Sequence, residues 1–128
     1  MRSRILFLSG HPDDARRISR MLHSLPLAVD HVNSLRKAQA KLHENGYEVL
    51  LTDAELPDGT WRGALQLAGQ FPPLALIVTH PHADAQLWSE ALNLGAYDVI
   101  AQPFYEPEVR RILHNACSRA GQRVMTAT

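Results

Sequence analysis

One stretch of the chain, VLLTDAELPDG at residues 49–59, decides the fold. Val49–Thr52 is a short, mostly apolar run of the kind that predicts a buried strand, and it stops at Asp53. Leu56–Gly59 combines residue types that are typical of turns. The segment from Trp61 to Ala68 then carries apolar residues at helical spacing. The stretch therefore predicts a strand, a loop and a helix, with one carboxylate at the end of the strand.

The same alternation of apolar runs and amphipathic segments extends over the whole chain. Apart from Val49–Thr52, four short apolar runs predict strands: Ile5–Leu8, Ala28–Val32, Leu74–Thr79 and Tyr97–Ile100. Each predicted strand is followed by a predicted helix. Five such units in strict alternation predict an α/β domain, in which a parallel sheet is covered by helices on both faces.

Several residues mark where the predicted helices begin and end. Pro12 suits the start of the first helix, and Ser34 suits the N-cap of the second. Gly46 and Gly95 are expected to end the second and fourth helices. The last helix has the clearest pattern, with apolar residues at 109, 112, 113, 116 and 117. We expect one domain over residues 1–121 and a flexible tail or linker stub over residues 122–128.

Composition and charge exclude several classes of protein. The chain has 128 residues, which suits one domain, and 13 basic residues balance 13 acidic ones. This balance provides no cationic surface for nucleic acid or an anionic membrane, so neither is expected as a partner. Cys117 is the only cysteine, and the first apolar run is too short for a signal peptide or a membrane span. We therefore expect a cytoplasmic protein.

Polar residues gather where the predicted strands end. In open parallel sheets, functional groups meet at the carboxyl edge of the strands. The residues expected at that edge are Ser9, Gly10, His11, Asp53, Thr79, His80 and Gln102. Any chemistry of this chain is expected among them.

Four stretches in this order carry a resemblance to the response-regulator receiver family, over about residues 4–120. They are Ile5–Leu8 followed by Pro12, Leu51–Gly59, Ile77–Thr79 with Ala91–Ala96, and Gln102–Phe104, where the family has Lys-Pro-Phe. The resemblance implies a doubly wound, flavodoxin-like receiver fold with strand order 2-1-3-4-5 and a role in two-component signal transduction. Around Glu108–Leu113 the sequence is most similar to receivers of enhancer-binding transcriptional regulators.

The resemblance also implies roles for individual residues. It assigns Asp53 as the phosphoacceptor and Thr79 as the switch hydroxyl, so a phosphoprotein is implied. In the family, an acidic pair holds Mg²⁺ and a lysine neutralises the transferring phosphoryl group. The positions of this pocket that depart from the family or surround it are Ser9, Gly10, His11, Glu55, His80, Val99 and Gln102. Ser9 and Gly10 stand at the acidic pair, Gln102 at the lysine and Val99 at the aromatic switch residue.

The departures predict an atypical receiver. Asp53 is the one remaining metal-binding candidate of the pocket, so Mg²⁺ is expected to bind weakly or not at all, and no other cofactor is expected. Asp13 and Asp14 could replace the missing pair, but capping of the first helix is the favoured interpretation. Histidines near the edge could form a transition-metal site with Asp53, but their spacing favours ordinary loop histidines.

Two hypotheses about function remain. The first is a receiver in a phosphorelay, with Asp53 modified by a histidine kinase. The second is a pseudo-receiver that binds another signalling protein without phosphoryl chemistry. An enzyme is not expected, since the sequence has no nucleophile–base pair and no nucleotide-phosphate loop. A homodimer could form through the face of the fourth helix, fifth strand and fifth helix, which Trp88 and Tyr105 flank.

Overall fold

The computed structural model describes residues 3–82 and 84–126, and side chains as far as residue 118. Strands and helices alternate along the described chain. In order they are β1 (Ser3–Leu8), α1 (Pro12–Met21), β2 (Leu27–Val32), α2 (Leu35–Glu44), β3 (Val49–Asp53), β4 (Glu55–Leu56), β5 (Gly59–Thr60), α3 (Trp61–Ala68), β6 (Ala75–His80), α4 (Ala85–Leu94), β7 (Asp98–Ala101) and α5 (Glu106–Thr126).

Five of these strands form one parallel sheet in the order β2-β1-β3-β6-β7. Counted among the sheet strands alone, this is the predicted order 2-1-3-4-5, so the predicted fold class is confirmed. The register pairs Leu8 with Thr52 and Asp53 with Thr79. The last residues of β1, β3 and β6 therefore lie side by side at the carboxyl edge of the sheet.

Helices cover both faces of the sheet, which explains why the strands are apolar along their whole length. On one face, Ile5, Phe7 and Leu51 pack with buried residues of α1 and α5. On the other face, residues such as Leu6 and Leu50 pack with α2, α3 and α4. Side chains alternate between the two faces of a strand, so the central strands contribute to both clusters.

The predicted helix signals are largely confirmed. Ser34 accepts a hydrogen bond from the Lys37 amide at 3.2 Å, as an N-cap should. Gly95 ends α4 with a φ of +114°, a conformation that glycine adopts without strain. Helix α2 ends at Glu44 with Asn45 as its extended C-cap, directly before Gly46 as predicted, although Gly46 does not take a positive φ.

Two features of the fold differ from the sequence analysis. The stretch predicted as a loop after Asp53 contains a small antiparallel hairpin, in which Glu55 pairs with Thr60. Helix α5 continues to Thr126, so residues 122–126 are helical. The predicted tail at residues 127–128 lies outside the described residues, and the domain boundary at residue 121 stays a prediction. Among the described helices, none is long and apolar enough to cross a membrane.

Candidate functional site

The carboxyl edge of the sheet brings together the residues that the sequence analysis singled out. Asp53 ends β3, and Ser9 and Gly10 follow β1 directly. Thr79, on β6, is the register partner of Asp53. The backbone amide of Gln102 donates to the His80 carbonyl at 3.2 Å. Hence the neighbouring strands β1, β3 and β6, and the loop after β7, build one pocket around the Asp53 carboxyl group.

One oxygen of Asp53 is held by two donors from the loop after β1. The Ser9 hydroxyl donates to Asp53 Oδ2 at 2.8 Å, and the Gly10 amide donates to the same atom at 3.2 Å. Ser9 is fully buried and Asp53 is 5% exposed. The two positions that lack the family's carboxylates therefore bind the aspartate directly.

The other oxygen of Asp53 is unpaired within the part of the chain that the structure describes. Asp53 Oδ1 is buried, and no donor of the described residues reaches it. Burial raises the pKa of the Asp53 carboxyl group, because the charged form loses its hydration. Hydrogen bonds from Ser9 and Gly10 and the charge of His11 oppose this increase, whereas the charge of Asp14 adds to it. Burial in this pocket therefore makes the Asp53 carboxyl group harder to ionise than a free side chain.

Gln102 does not replace the lysine that the family places at its position. Its side-chain amide donates to Thr79 Oγ1 at 3.3 Å, and Thr79 is fully buried. An amide carries no net charge and cannot neutralise a carboxylate or a phosphoryl group. The hydroxyl of Thr79 is thus bound to Gln102 in this pocket.

The remaining predicted pocket residues lie around Asp53 without contacting it by a hydrogen bond. Val99 is fully buried in the core on the α4 side of the sheet. Glu55 is exposed at the start of the hairpin, and His11 is exposed at the N-cap of α1. His80 accepts a hydrogen bond at Nδ1 from the His82 amide at 2.9 Å. These two histidine rings are 5.8 Å apart and, with Glu55, line a cleft of about 420 Å³ between α3 and α4.

The residues of the pocket do not fit the Mg²⁺ ion that the fold family implies. Among the described residues, Ser9 and Gly10 bond to no carboxylate other than Asp53. One oxygen of Asp53 is already bonded, and the other is buried. Mg²⁺ requires several oxygen ligands in an octahedral arrangement. The two acidic residues of α1 face arginines instead: Asp13 forms an ion pair with Arg16, and Asp14 Oδ1 lies 3.8 Å from a guanidinium nitrogen of Arg17. Among the side chains that the structure describes, no group of three His, Cys, Asp or Glu residues is placed to hold a metal ion.

One residue next to this pocket was missed in the sequence analysis. His31, on β2, places its Nε2 atom 2.8 Å from the carbonyl oxygen of Ser9. A carbonyl oxygen only accepts hydrogen bonds, so Nε2 carries the proton in this contact. No motif signals this role, because it depends on the pairing of β2 with β1 in space.

Comparison with solved structures identifies the fold. A signal receiver domain from Vibrio parahaemolyticus superposes with a TM-score of 0.92 at 19% identity, over 100% of this chain and 99% of that chain. The beryllofluoride-activated NtrC4 receiver domain dimer gives a TM-score of 0.83 at 22% identity, over 91% of this chain and 98% of that chain. The fold is therefore that of a response-regulator receiver domain.

Curated response regulators are similar to this chain in sequence. The DNA-binding transcriptional regulator NtrC of Proteus hauseri is 30% identical over 90 residues, which are 70% of this chain and 18% of that regulator. The response regulator protein PilR of Pseudomonas aeruginosa is 25% identical over 118 residues, 90% of this chain and 26% of PilR. No protein-family model matches the chain. The predicted resemblance to receivers of response regulators is confirmed, and the matched region spans only about a quarter or less of these relatives.

Proposed function

We propose that this chain is a receiver domain that signals through protein contacts and without phosphoryl transfer to Asp53. The observation that carries the proposal is the environment of the Asp53 carboxyl group. One oxygen is bonded to Ser9 and Gly10, the other is buried without a partner, and burial raises the pKa of the group. A buried carboxyl group with one oxygen already bonded to two donors is a poor nucleophile towards a phosphoryl donor.

The charges that phosphoryl transfer requires are also missing from the pocket. A transferring phosphoryl group is stabilised by metal ions and cationic side chains. Here the amide of Gln102 stands at the cation's position, and it is bonded to Thr79. Loss of one charge-stabilising contact typically costs a factor of about 10² to 10³ in rate. Loss of the metal ligands and of the lysine together should therefore make transfer very slow.

The conformational readout used by the family is also altered. The resemblance places a hydroxyl and a mobile aromatic ring in that readout. In this chain Thr79 is bonded to Gln102, and Val99 is a fully buried aliphatic residue in the core. We therefore propose that binding of a partner, rather than a phosphate group, sets the state of the domain.

A second candidate function is a phosphorelay receiver that is modified by a histidine kinase. The placement of Asp53 favours it, because the aspartate ends β3 next to Thr79 in register. A kinase could supply the missing cations from its own surface. We propose that under either hypothesis the chain is not an enzyme, acts in the cytoplasm, and contacts neither nucleic acid nor membrane itself.

A dimer through the α4–β7–α5 face is proposed for either function. Tyr105, 65% exposed, and Leu94, 53% exposed, supply apolar surface near the ends of α5 and α4. Trp88 packs partly buried against the core. Size-exclusion chromatography with light scattering of the wild type and of Leu94→Glu tests this proposal, because a charge on the contact surface should shift a dimer to monomer.

Phosphorylation can be tested directly by intact mass. The wild type and Asp53→Asn are incubated with Mg²⁺ and acetyl phosphate, together with a variant that restores the family's residues, Ser9→Asp/Gly10→Asp/Gln102→Lys. Gly10 can accept a side chain, since a Cβ atom there would meet Pro57 at an ordinary 3.6 Å. We expect one added phosphoryl group on the restored variant and none on the wild type. Circular dichroism checks that each variant is folded.

The outcome separates the two candidates. An adduct on the wild type that disappears in Asp53→Asn would overturn the proposal and support the phosphorelay function. An adduct on the restored variant alone supports the proposal, because it shows that the assay works in this fold. A wild type that accepts phosphate from a histidine kinase, though not from acetyl phosphate, also counts against it.

A further inference from the structure

The outer edge of the sheet is open at strand β2. Within the described residues, β2 (Leu27–Val32) is hydrogen-bonded to β1 alone and lies at one end of the sheet. The backbone N–H and C=O groups on its other side therefore face outwards. Such an edge can pair with an extended segment of another chain.

A long groove lies between this edge and helix α1. Two neighbouring cavities, of about 600 and about 840 Å³, are both lined by Ser19 of α1. The first extends to Pro12 and His31, and the second extends to Pro26 and Val29. Together they form one open groove along the side of α1 that faces β2. Its position along the free edge of β2 suits an extended chain better than a compact ligand.

The groove is lined by two arginines and by no acidic residue of the described chain. Arg16 and Arg20 both lie in its first part, next to His31. The side chain of Arg20 makes no hydrogen bond or ion pair among the described residues, and Arg16 has the exposed Asp13 as its ion-pair partner. The charge of Arg20 is therefore not compensated by the described residues, and it is complementary to a carboxylate.

The register of β2 sets how carboxylates could be spaced. Leu27 and Val29 pack in the core cluster that contains α1, and alternation along the strand puts His31 on the same side. A chain that is added to β2 would likewise present every second side chain to α1. Acidic residues at alternate positions would therefore face Arg16 and Arg20.

We propose that this groove binds an extended acidic segment of a partner protein, which adds a strand to β2. Main-chain hydrogen bonds to the free edge would provide affinity, and the arginines of α1 would select for acidic side chains. This site is separate from the Asp53 pocket and from the α4–β7–α5 face.

A short series of contacts connects the groove with the pocket. His31 donates from Nε2 to the Ser9 carbonyl at 2.8 Å, and the Ser9 hydroxyl donates to Asp53 at 2.8 Å. An acidic chain next to His31 would change the position of its ring and, with it, the hydrogen bond to the Ser9 carbonyl. This connection would give the domain an input other than phosphorylation, a role that rests on the proposed function.

The test uses a fluorescein-labelled peptide of alternating Glu and Thr residues, which is titrated with the full chain and followed by fluorescence anisotropy. We expect Arg16→Gln/Arg20→Gln to weaken binding by about fivefold or more, the effect of two exposed ion pairs. Arg36→Gln/Arg111→Gln removes two exposed arginines outside the groove and should change binding by less than about twofold. In ¹H–¹⁵N spectra, the largest shifts should fall on residues 27–32 and 15–20, with smaller ones at Ser9 and Asp53.

Four outcomes would overturn the inference. Equal weakening by the two double variants would mean that general charge attraction accounts for binding. Equal binding of a Gln-Thr peptide would exclude selection for acidic residues, and competition by inorganic phosphate at equal concentration would indicate a small-anion site. Failure of the peptide to bind would overturn the inference as well, and it would leave the acetyl phosphate result unchanged, so the two proposals can fail independently.

Discussion

Asp53→Asn should stabilise the folded chain at neutral pH. In the wild type, Asp53 Oδ1 is a buried acceptor without a donor among the described residues. An unpaired buried polar group costs about 1–3 kcal/mol, and a charged one costs more. The neutral amide removes the charge and keeps one oxygen for the Ser9 and Gly10 donors. Its own N–H groups need partners, so we expect a net gain of about 1–2 kcal/mol.

The gain should depend on pH in a definite direction. Burial raises the folded-state pKa of Asp53 above its ordinary value of 3.8. Stability from the protonated group is therefore fully present below that ordinary value and is lost as the pH rises through the folded-state pKa. The advantage of Asp53→Asn should accordingly be small near pH 4 and reach its full size above the folded-state pKa of Asp53.

Urea denaturation followed by circular dichroism, repeated across this pH range, measures the effect. A gain of this size would also raise Tm by about 3–6 °C. Asp58→Asn is a matched control for which the change in the free energy of unfolding should have the opposite sign, a loss at neutral pH. The backbone amides of Leu35 and Arg36 lower the pKa of Asp58. The Asp58 carboxylate therefore stabilises the fold at neutral pH, and this stabilisation is lost as the pH falls. If Asp53→Asn were neutral or destabilising at every pH, the account of a buried, poorly paired Asp53 carboxylate would be refuted.

Three further substitutions test single contacts by the same denaturation assay. Ser9→Ala removes the 2.8 Å hydrogen bond to Asp53 and should lower the free energy of unfolding by about 1–3 kcal/mol at neutral pH. The loss should be smaller in acid, where Asp53 is protonated, and an equal loss at both pH values would contradict this. Arg110→Ala removes donors to the Met21 and His23 carbonyls, each at 2.9 Å, and should cost about 1–2 kcal/mol, whereas the exposed Arg111→Ala should be nearly silent. Gly95→Ala places a side chain at a φ of +114° and should cost about 1–2 kcal/mol; because no atom lies within 4 Å of the added Cβ, a larger loss would point to a steric cause instead.

The fold could be predicted because its signals are local and strong. Central strands such as β1 and β3 are covered on both faces, so they are apolar without interruption and stand out from the amphipathic helices. Alternation of strand and helix then limits the topology to parallel sheets with right-handed crossovers. That topology alone puts the ends of β1, β3 and β6 side by side. The proximity of Ser9, Asp53 and Thr79 was therefore predictable from the sequence.

The contacts within the site could not be predicted in the same way. Whether the Gln102 amide bonds to Thr79 or to Asp53 depends on side-chain geometry of a few tenths of an ångström. The contact of His31 with Ser9 depends on the register between β2 and β1. The hairpin at Glu55–Thr60 was predicted as a loop, because strands of two residues are too short to show alternation.

The departures from the family's pocket are coupled by charge. An acidic pair beside Asp53 would bury three carboxylates, which are stable together only if a metal ion and a lysine neutralise them. Ser9 and Gly10 remove two of these charges and supply two hydrogen-bond donors to Asp53. With one carboxyl group left, protonation is enough to make the pocket neutral, and a lysine at position 102 is no longer required for stability. Gln102→Lys alone would therefore restore a cation beside Asp53 without restoring the metal site, and only the combined replacement of residues 9, 10 and 102 restores both.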